Sequence, residues 1–443
     1  MEGMQQYYES HIPWIGKIPS IWRLSEIAHF TRSMSGGTPS RNKPEYWEDG
    51  DIPWMSSGEV NKGEVWDTNE RITQLGFANS NAKLLKKNTV VIALNGQGKT
   101  KGMSAILKIE ATCNQSLCGF MCDEKNLTYK YLYYCFQAMY KYLRSQAGDD
   151  SREGLAAFFV KKQKIPVPPI EEQKAIAEFL DARCKNIDDL IAREEKRVSL
   201  LHEVRLSILT KAVLQGLNDR VETAPNKHNW LGNIPRHWKI MPLRYTATAK
   251  GCCFIDGDWI ESKDIDYDGS IKYLTTGNVG SGFYKEQGLG YITEEKFKEL
   301  DCTDVLPGDL LISRLNEPIA RTCIVPDLGS RIVTAVDNVI FRPNPNILDR
   351  KFACYYLNNG RLTEHANIIA RGATMHRVSR TMLGHLPVVL PPLDEQRDIV
   401  AFLDKECNQY DNRIVKANHQ IDLLKEYKQS LITEVVTGKR KVC

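Results

Sequence analysis

One turn has residue types and spacing that resemble part of a phosphate-binding loop. Leu94 is followed by Asn95-Gly96-Gln97-Gly98-Lys99-Thr100, but a complete loop needs a glycine at position 93, where the chain has Ala93. The nucleotide-binding motif therefore fails. The better interpretation is a surface turn that presents Lys99 and Lys101, which could still touch phosphate groups.

Further basic and amide side chains lie on glycine-containing loops, where they could contact a polyanion such as DNA. Phosphates are bound by Lys and Arg, whereas base edges are read by Arg, Asn, Gln and small side chains. In the first half of the chain the candidates are Ser35, Gly36, Gly37, Thr38, Arg41, Lys43, Gln97, Lys99, Lys101 and Arg152. In the second half they are Lys285, Arg314, Asn316, Arg321, Arg371, Thr374, Arg377 and Arg380. The alternative for each is a solvated loop residue, and for Arg371, Arg377 and Arg380 it is pairing with nearby acids such as Glu364.

Composition argues against several classes of function. The net charge is only +4 over 443 residues, so a DNA-binding face must be local. Twelve cysteines without a Cys-x-x-Cys pair indicate reduced cytosolic thiols, and nine scattered histidines do not predict a metal site. Single acids such as Asp256 and Asp258 are interpreted as solvated loop residues. No apolar run is long enough to span a membrane, and no signal peptide is recognised, so a cytoplasmic protein is expected.

Two pairs of motifs show that the chain is an internal repeat. The segment Ile165 to Gln173 contains Pro-Pro-x-x-Glu-Gln, and the segment Leu386 to Gln396 repeats it at a shift of 223 positions. An Ile-Pro-x-x-Trp motif, Ile18 to Trp22, returns as Ile234 to Trp238. Each repeat therefore has an entry segment, a variable globular region, a Pro-Pro turn and a final segment.

Both final segments are predicted to be long helices, 171–216 and 394–437. Their apolar residues follow a 4-3 alternation, which produces a narrow seam that a partner helix must cover. Prolines and acids suit both helix starts. Arg205 and Lys428 occupy equivalent seam positions, where a polar residue usually sets register or orientation. We expect the two helices to pack antiparallel; the alternative is one core helix in each of two domains. The seam residues are Ile187, Ile191, Val198, Leu201, Ile208, Ile414, Ile421, Leu424 and Leu431.

The two globular regions are predicted to share one scaffold with different loops. Residues 51–60 align with 270–279, the β-branched run 90–93 with 310–313, and an aromatic helix near 129–143 with 352–357. The expected fold is α+β, with two repeated mixed α/β domains joined by two long antiparallel helices in a pseudo-twofold arrangement. The expected segments are 1–165, 166–216, the linker 217–229, 230–386 and 387–443.

With these motifs in order, the chain resembles the specificity subunit of type I restriction–modification systems. The loop Ser35 to Ser40 and the closing Val436-Thr437-Gly438-Lys439 add to the resemblance. The Gly-Gly-Thr-Pro loop of the first repeat has no clear counterpart near Gly251 in the second.

The resemblance implies that 1–165 and 230–386 are target-recognition domains, each reading one half of a bipartite double-stranded DNA sequence. It implies that the conserved helices act as a spacer and dock two DNA methyltransferase subunits, with restriction subunits joining through the complex. It also implies a subunit that is not catalytic alone and needs no cofactor. Two other classes remain open from the residues alone: a DNA-modifying enzyme, and a coiled-coil scaffold unrelated to DNA.

Overall fold

The computed structural model describes residues 6–96, 98–146, 154–288, 290–370 and 376–442. The chain divides into two compact units: unit 1 contains Met1–Glu195 and His419–Cys443, and unit 2 contains Lys196–Asn418. Each unit takes one globular region and part of both long helices. The units therefore differ from the consecutive segments expected from the sequence, in which each helix stood apart.

The chain from the first strand to the first long helix alternates short strands with few helices. In chain order its elements are β1 (Tyr7–Glu9), β2 (Lys17–Pro19), β3 (Arg23–Glu26), β4 (Thr31–Ser35), β5 (Ile52–Met55), β6 (Glu64–Val65), β7 (Glu70–Ile72), α1 (Gln74–Ala78), β8 (Val90–Ala93), β9 (Ser104–Leu107), β10 (Thr112–Cys113), β11 (Leu117–Cys122), α2 (Tyr129–Ser145), α3 (Ala157–Lys161), β12 (Lys164–Val167) and α4 (Ile170–Gln215).

The remaining chain repeats this plan with shorter helices before the second long one. In chain order its elements are β13 (Thr223–Ala224), β14 (Ile234–Pro235), β15 (Lys239–Pro242), β16 (Cys253–Asp256), β17 (Ile271–Leu274), β18 (Tyr291–Ile292), α5 (Glu294–Glu299), β19 (Leu310–Ser313), β20 (Thr322–Ile324), β21 (Ile332–Thr334), β22 (Asn338–Arg342), α6 (Arg350–Leu357), α7 (Gly360–Ile369), α8 (Arg380–His385), β23 (Pro387–Leu390) and α9 (Leu393–Val436).

Unit 1 is built on a five-stranded sheet in the order β4-β11-β8-β9-β6 and a three-stranded sheet in the order β10-β5-β7. Its central strand β8 is buried throughout, as its uninterrupted β-branched run predicts. The aromatic face of α2 covers the larger sheet, where the rings of Phe136 and Phe120 lie 5.3 Å apart. Apolar packing therefore joins α2 to this sheet.

Unit 2 repeats these two sheets as β16-β22-β19-β20 and β18-β17-β21. The predicted equivalences are confirmed, because β5 and β17, β8 and β19, and α2 and α6 hold matching positions. A short 3-10 helix follows β5 and another follows β17. Both begin in a capping box, formed by Ser56 with Glu59 in unit 1 and by Thr275 with Asn278 in unit 2.

The two long helices run antiparallel within each unit. In unit 1, Ile176 and Val435 line one small cavity, and further along Asp188 pairs with Lys428. In unit 2, Arg205 pairs with Asp411. Residue numbers thus increase along α4 while those of the contacting residues decrease along α9, as antiparallel packing requires. Both predicted helices begin and end within one residue of their expected limits.

The seam residues are covered inside the chain. Five of them are buried and four are half-buried, which confirms the predicted packing face. The buried residues are Ile187, Ile191, Ile414, Ile421 and Leu431. The half-buried residues are Val198, Leu201, Ile208 and Leu424.

The final residue of each Pro-Pro-x-x-Glu-Gln motif holds a helix start to the globular region beside it. Gln173 is fully buried; its Oε1 accepts from the backbone N of Thr128 at 3.0 Å, and its Nε2 donates to two carbonyls. Gln396 repeats this pattern with the backbone N of Asp349 at 2.8 Å and two carbonyls. A glutamine is required here because one side chain must both accept and donate.

The glutamate of the same motif links to the tryptophan of the entry motif. Trp22 Nε1 donates to Glu172 Oε2 at 3.0 Å, and Trp238 Nε1 donates to Glu395 Oε2 at 3.0 Å. The entry strands β3 and β15 also pair with β12 and β23, which lead into the long helices. The motifs that revealed the repeat are therefore the joints between domain and helix.

Candidate nucleic-acid interface

In unit 2, several loops emerge at one edge of the four-stranded sheet. β16 ends at Asp256 and β19 ends at Ser313, and both pair with the first residues of the antiparallel β22. The loops after β16 and β19 and the turn before β22 consequently meet at this edge. We call it the loop edge of unit 2.

Unit 1 has the same edge. β4 ends at Ser35 and β8 ends at Ala93, and both pair with the start of β11. The loop after β4 carries the residues from Gly36 to Lys43, and the turn after β8 carries Lys99 and Lys101. The candidates from these separate stretches of sequence therefore belong to one loop edge of unit 1.

The glycine loop of unit 1 does have a structural counterpart, contrary to the sequence comparison near Gly251. A Cβ on Gly36 would clash with the carbonyl of Cys113, and a Cβ on Gly257 would clash with the carbonyl of Ala335. Each glycine directly follows the last residue of an equivalent strand, β4 or β16. Gly36 and Gly37 are thus required by close backbone packing, and Gly37 O also accepts from Trp54 Nε1 at 3.0 Å.

The side chains that follow Gly37 differ in how far they are engaged by the protein. The half-buried Thr38 donates its hydroxyl hydrogen to Gln115 Oε1. Arg41 binds both carboxylate oxygens of Glu70, and its guanidinium stacks 3.7 Å from the ring centre of Trp47. Lys43 is exposed and donates to Tyr46 Oη at 3.0 Å, and this hydrogen bond raises the pKa of Lys43.

The turn after β8 presents one lysine and buries the other. Lys99 is exposed, and its carbonyl accepts from Tyr140 Oη at 2.6 Å. Lys101 is only 8% exposed, and its carbonyl accepts from Arg144 Nη1 at 3.1 Å. The expectation that the turn presents Lys101 on the surface was wrong, because residues of α2 hold this part of the turn against the domain.

Arg321 in unit 2 is a structural clamp. Its Nε donates to Val279 O at 2.8 Å and its Nη2 to Thr276 O at 2.9 Å. Its Nη1 lies near three carbonyls of the loop after β19, the shortest contact being 2.9 Å to Asn316 O. Burial lowers the pKa of Arg321. Its donors are occupied by backbone oxygens, so its position fixes the loop that carries the exposed Asn316.

Arg314, Arg377 and Arg380 share two aspartates at the loop edge of unit 2. Arg314 is 6% exposed and lies 3.3 Å from Asp256 and 4.0 Å from Asp337. Arg377 lies 2.8 Å from Asp337, and Arg380 lies 3.4 Å from Asp256. The expectation of a solvated Asp256 was wrong, since it is half-buried and paired with two arginines.

Asp258 also differs from the solvated residue that the sequence suggested. Its Oδ2 accepts from the backbone N of Thr303 at 2.9 Å, and burial raises its pKa. Lys285 is exposed on the segment between β17 and β18. Four of the candidates, Gln97, Arg152, Arg371 and Thr374, lie outside the described residues.

Sequence reasoning missed Asp256 and Asp337 as partners of the arginines. Arg377 was compared with the nearest acid in sequence, Glu364, whereas its partner is 40 positions away along the chain. A signal was present in the repeat, because Asp256 directly precedes Gly257 as Ser35 precedes Gly36. Recognising that alignment would have put Asp256 at the loop edge.

Some chemistry is absent from the described parts of the chain. There, no group of three or more His, Cys, Asp or Glu side chains could hold a metal ion. The cysteines within those parts are free thiols. None of the described helices combines the length and apolar character that a membrane crossing requires.

Comparison with known proteins agrees with this architecture. The family described as "Type I restriction modification DNA specificity domain" matches residues 19–199 and 248–422. The chain is 22% identical over 436 residues to the type I restriction enzyme MjaVIII specificity subunit of Methanocaldococcus jannaschii, covering 96% of this chain and 94% of that protein. It is 36% identical over 170 residues to the EcoR124I/EcoR124II specificity subunit of Escherichia coli, covering 36% of this chain and 40% of that protein.

A solved structure shares the fold. A chain from a study titled "Structural basis underlying complex assembly and conformational transition of the type I R-M system" gives a TM-score of 0.69 at 16% identity, covering 95% of this chain and 98% of that chain. The two matched regions take up most of the sequence, and the protein therefore belongs to the type I restriction–modification DNA specificity family. As a specificity subunit, it is the DNA sequence-recognition component of such a system and is not itself the catalytic one.

Proposed function

We propose that the loop edge of each unit enters a major groove of double-stranded DNA and reads one half of a bipartite target. The two long helices would set the distance between the half-targets and dock two DNA methyltransferase subunits. Restriction subunits would join through that complex. Because the proposed partner is the DNA of the cell, the protein would act in the cytoplasm and need no cofactor of its own.

One observation carries the proposal. The same sheet edge occurs in both units, and its frame is repeated while its exposed side chains are not. Gly36 and Gly257 hold the frame at equivalent places, yet the residue two positions after each is the half-buried Thr38 in one unit and the exposed Trp259 in the other. A shared frame with different side chains is what two readers of two different half-sites require.

The residues then divide into contacts and supports. The contacts with DNA are proposed for exposed or partly exposed side chains, and the supports are the buried or fully engaged ones. Within the residues that the structure describes, the proposed contacts are Ser35, Thr38, Arg41, Lys43, Lys99, Lys285, Asn316, Arg377 and Arg380. Outside those residues, the further proposed contacts are Gln97, Arg152, Arg371 and Thr374. The supports are Gly36, Gly37, Lys101, Arg314 and Arg321.

For methyltransferase docking, the exposed helix faces outside the seam are the better surface. Seam residues such as Ile187 and Ile414 cover the other helix, so they would act by holding the pair together. Exposed apolar residues recur on the outer faces: Leu200 and Leu423 are equivalent at the 223-residue shift and are 50% and 49% exposed. Val204 and Tyr427 form a second equivalent pair, 43% and 49% exposed. Two matched apolar patches, one in each unit, support two docked subunits.

Methylation mapping tests the function. The chain is produced in a cell together with its methyltransferase subunit, and modified adenines or cytosines are mapped across the genome. The proposal expects one methylated motif made of two fixed half-sites separated by a spacer of constant length. Methylation without sequence preference, or at one continuous short motif, would contradict it.

A further inference from the structure

The five charged residues at the loop edge of unit 2 form an ordered network. Arg314 lies at its buried centre, with Asp256 and Asp337 beside it. Each aspartate also binds one arginine that reaches the surface: Asp337 binds Arg377, 46% exposed, and Asp256 binds Arg380, 44% exposed. Each carboxylate therefore connects a buried arginine to a surface arginine.

The backbone segments that carry Arg314, Asp337 and Arg377 are also hydrogen-bonded to one another. The N–H of Arg314 donates to Asp337 O at 2.8 Å, and the N–H of Val378 donates to Arg314 O at 3.0 Å. Leu315 and Arg377 form an isolated β-bridge. Arg321 holds the adjoining loop after β19 by donating to the carbonyls of that loop. The surface arginines are therefore mounted on a fixed platform, which reduces the ordering cost on binding.

The charges of the network favour a neutral ligand over a phosphate. Three arginines and two aspartates leave a net charge of +1, and a phosphate approaching Arg377 would also meet the carboxylates. A base edge is neutral, so its hydrogen bonds to arginine depend on direction more than on net charge. Arg377 forms its ion pair with Asp337 through Nη2, and a guanidinium has five N–H donors, so a two-donor edge can still face a ligand.

We propose that Asp337 and Asp256 are positioning residues that orient Arg377 and Arg380 toward guanine O6 and N7 in the half-target of unit 2. Arg314 is their buried anchor, because its charge requires both carboxylates to stay in place. The inference rests on the proposed function of unit 2 and names the base that it reads. Two-donor contacts from arginine to guanine are the usual chemistry of such recognition.

The test uses the complex of the chain with its methyltransferase and duplexes carrying the mapped target. Each guanine of the half-target assigned to unit 2 is replaced in turn by 7-deazaguanine, which lacks the N7 acceptor. Binding is measured for the wild type, Asp337→Asn, Arg377→Lys and the double variant, over a series of salt concentrations. Asp268→Asn is the matched control, because it makes the same charge change at an exposed residue that precedes β17.

The wild type is expected to lose about tenfold or more in affinity at one or two substituted guanines. Asp337→Asn is expected to lose that discrimination at one position while binding non-specific DNA as well as or better than the wild type. Loss of a negative charge alone would strengthen binding to every duplex, and unfolding would weaken it on every duplex. Only a positioning role removes the discrimination at one guanine without lowering the affinity for non-specific DNA.

The double variant is expected to resemble each single variant, because Asp337 acts through Arg377. Additive losses, or full discrimination in Asp337→Asn, would overturn the inference while leaving the function intact. The inference also fails if Arg377→Lys keeps both the guanine discrimination and the salt slope of the wild type, since a lysine can replace an arginine at a phosphate but not at a two-donor guanine contact. If the wild-type complex itself shows no sequence preference, the proposed function fails first.

Discussion

Lys428 Nζ lies 2.7 Å from both carboxylate oxygens of Asp188, and this ion pair joins the two long helices in unit 1. The repeat produces the same pair in unit 2, where Arg205 Nε lies 2.8 Å from Asp411. Both cations and both acids are related by the shift of 223 positions. The polar seam residues therefore match the antiparallel register, as the sequence pattern indicated.

The coupling within the Lys428–Asp188 pair is expected to be small but measurable. A double-mutant cycle with alanine at both positions should give a coupling free energy of about 0.5–1 kcal/mol, because both side chains are partly exposed to water. The exposed Lys425–Glu195 pair, with a separation of 3.7 Å, is the control and should give less. The free energy of unfolding is measured in urea, and a coupling no larger than in the control would remove the pair as a register determinant.

Replacement of Gln396 by methionine is expected to destabilise unit 2 strongly. Methionine has a similar size, but it leaves the N–H of Asp349 and the carbonyls of Ile347 and Pro391 without this partner, at about 1–3 kcal/mol for each group removed from water. The expected total is at least about 3 kcal/mol in urea unfolding, with faster hydrogen exchange at the amide of Asp349. Gln420→Met, on the exposed face of the same helix, should change little. Equal effects of the two substitutions would contradict the role given to Gln396.

Buried thiols are expected to resist alkylation in the native protein. Burial raises the pKa of Cys113, Cys323 and Cys354 to about 12, from a usual value of 9.0. At pH 8 this leaves roughly a thousandfold less thiolate than in the unfolded chain. Iodoacetamide followed by mass spectrometry should label the half-buried Cys252 in the native protein and these three only after denaturant is added.

The same shifts predict a loss of stability at high pH. A raised folded pKa means that the stabilising neutral thiol is fully present below about pH 9, and the contribution is lost as pH rises toward 12. The unfolding midpoint in urea should therefore fall between pH 9 and 12. Rapid native labelling of the buried thiols, or a midpoint that does not change over this range, would show that these cysteines are accessible or ionise normally.

Lys43 and Lys99 are expected to contact phosphates rather than bases. Alanine at either position should weaken binding to all DNA sequences and lower the magnitude of the salt slope by about one. Lys141 on α2 is exposed and provides the matched control. Binding is measured with the methyltransferase complex on target and non-target duplexes. A loss confined to the target duplex would mean that the lysine reads bases.

The repeated scaffold could be predicted from the sequence because short motifs mark its joints. Gln173 and Gln396 fix both helix starts, and the apolar seam follows from its spacing alone. The equivalence of Gly36 and Gly257 is marked in the sequence only by the residue pairs Ser35-Gly36 and Asp256-Gly257, because the backbone contacts that require these glycines come from distant segments, at Cys113 and Ala335.

The burial of individual basic side chains was harder to predict. Lys101 and Arg314 read as loop residues in the sequence, yet tertiary packing buries both. Their burial depends on which residues of distant elements approach them, Arg144 of α2 for Lys101 and Asp256 of β16 for Arg314. Local composition does not show which distant residues approach a side chain. It therefore indicated the loops that form the loop edge, but it did not distinguish the proposed DNA contacts from the buried supports.

Exchange of one recognition region tests whether each unit reads its own half of the target. Residues 14–165 are replaced by the corresponding region of another specificity subunit, and methylated sites are mapped in cells that carry the chimera and the same methyltransferase. One half of the bipartite motif is expected to change, while the other half keeps its sequence. A chimera that assembles with its methyltransferase and methylates a motif with both halves altered would contradict the claim that each unit reads its own half.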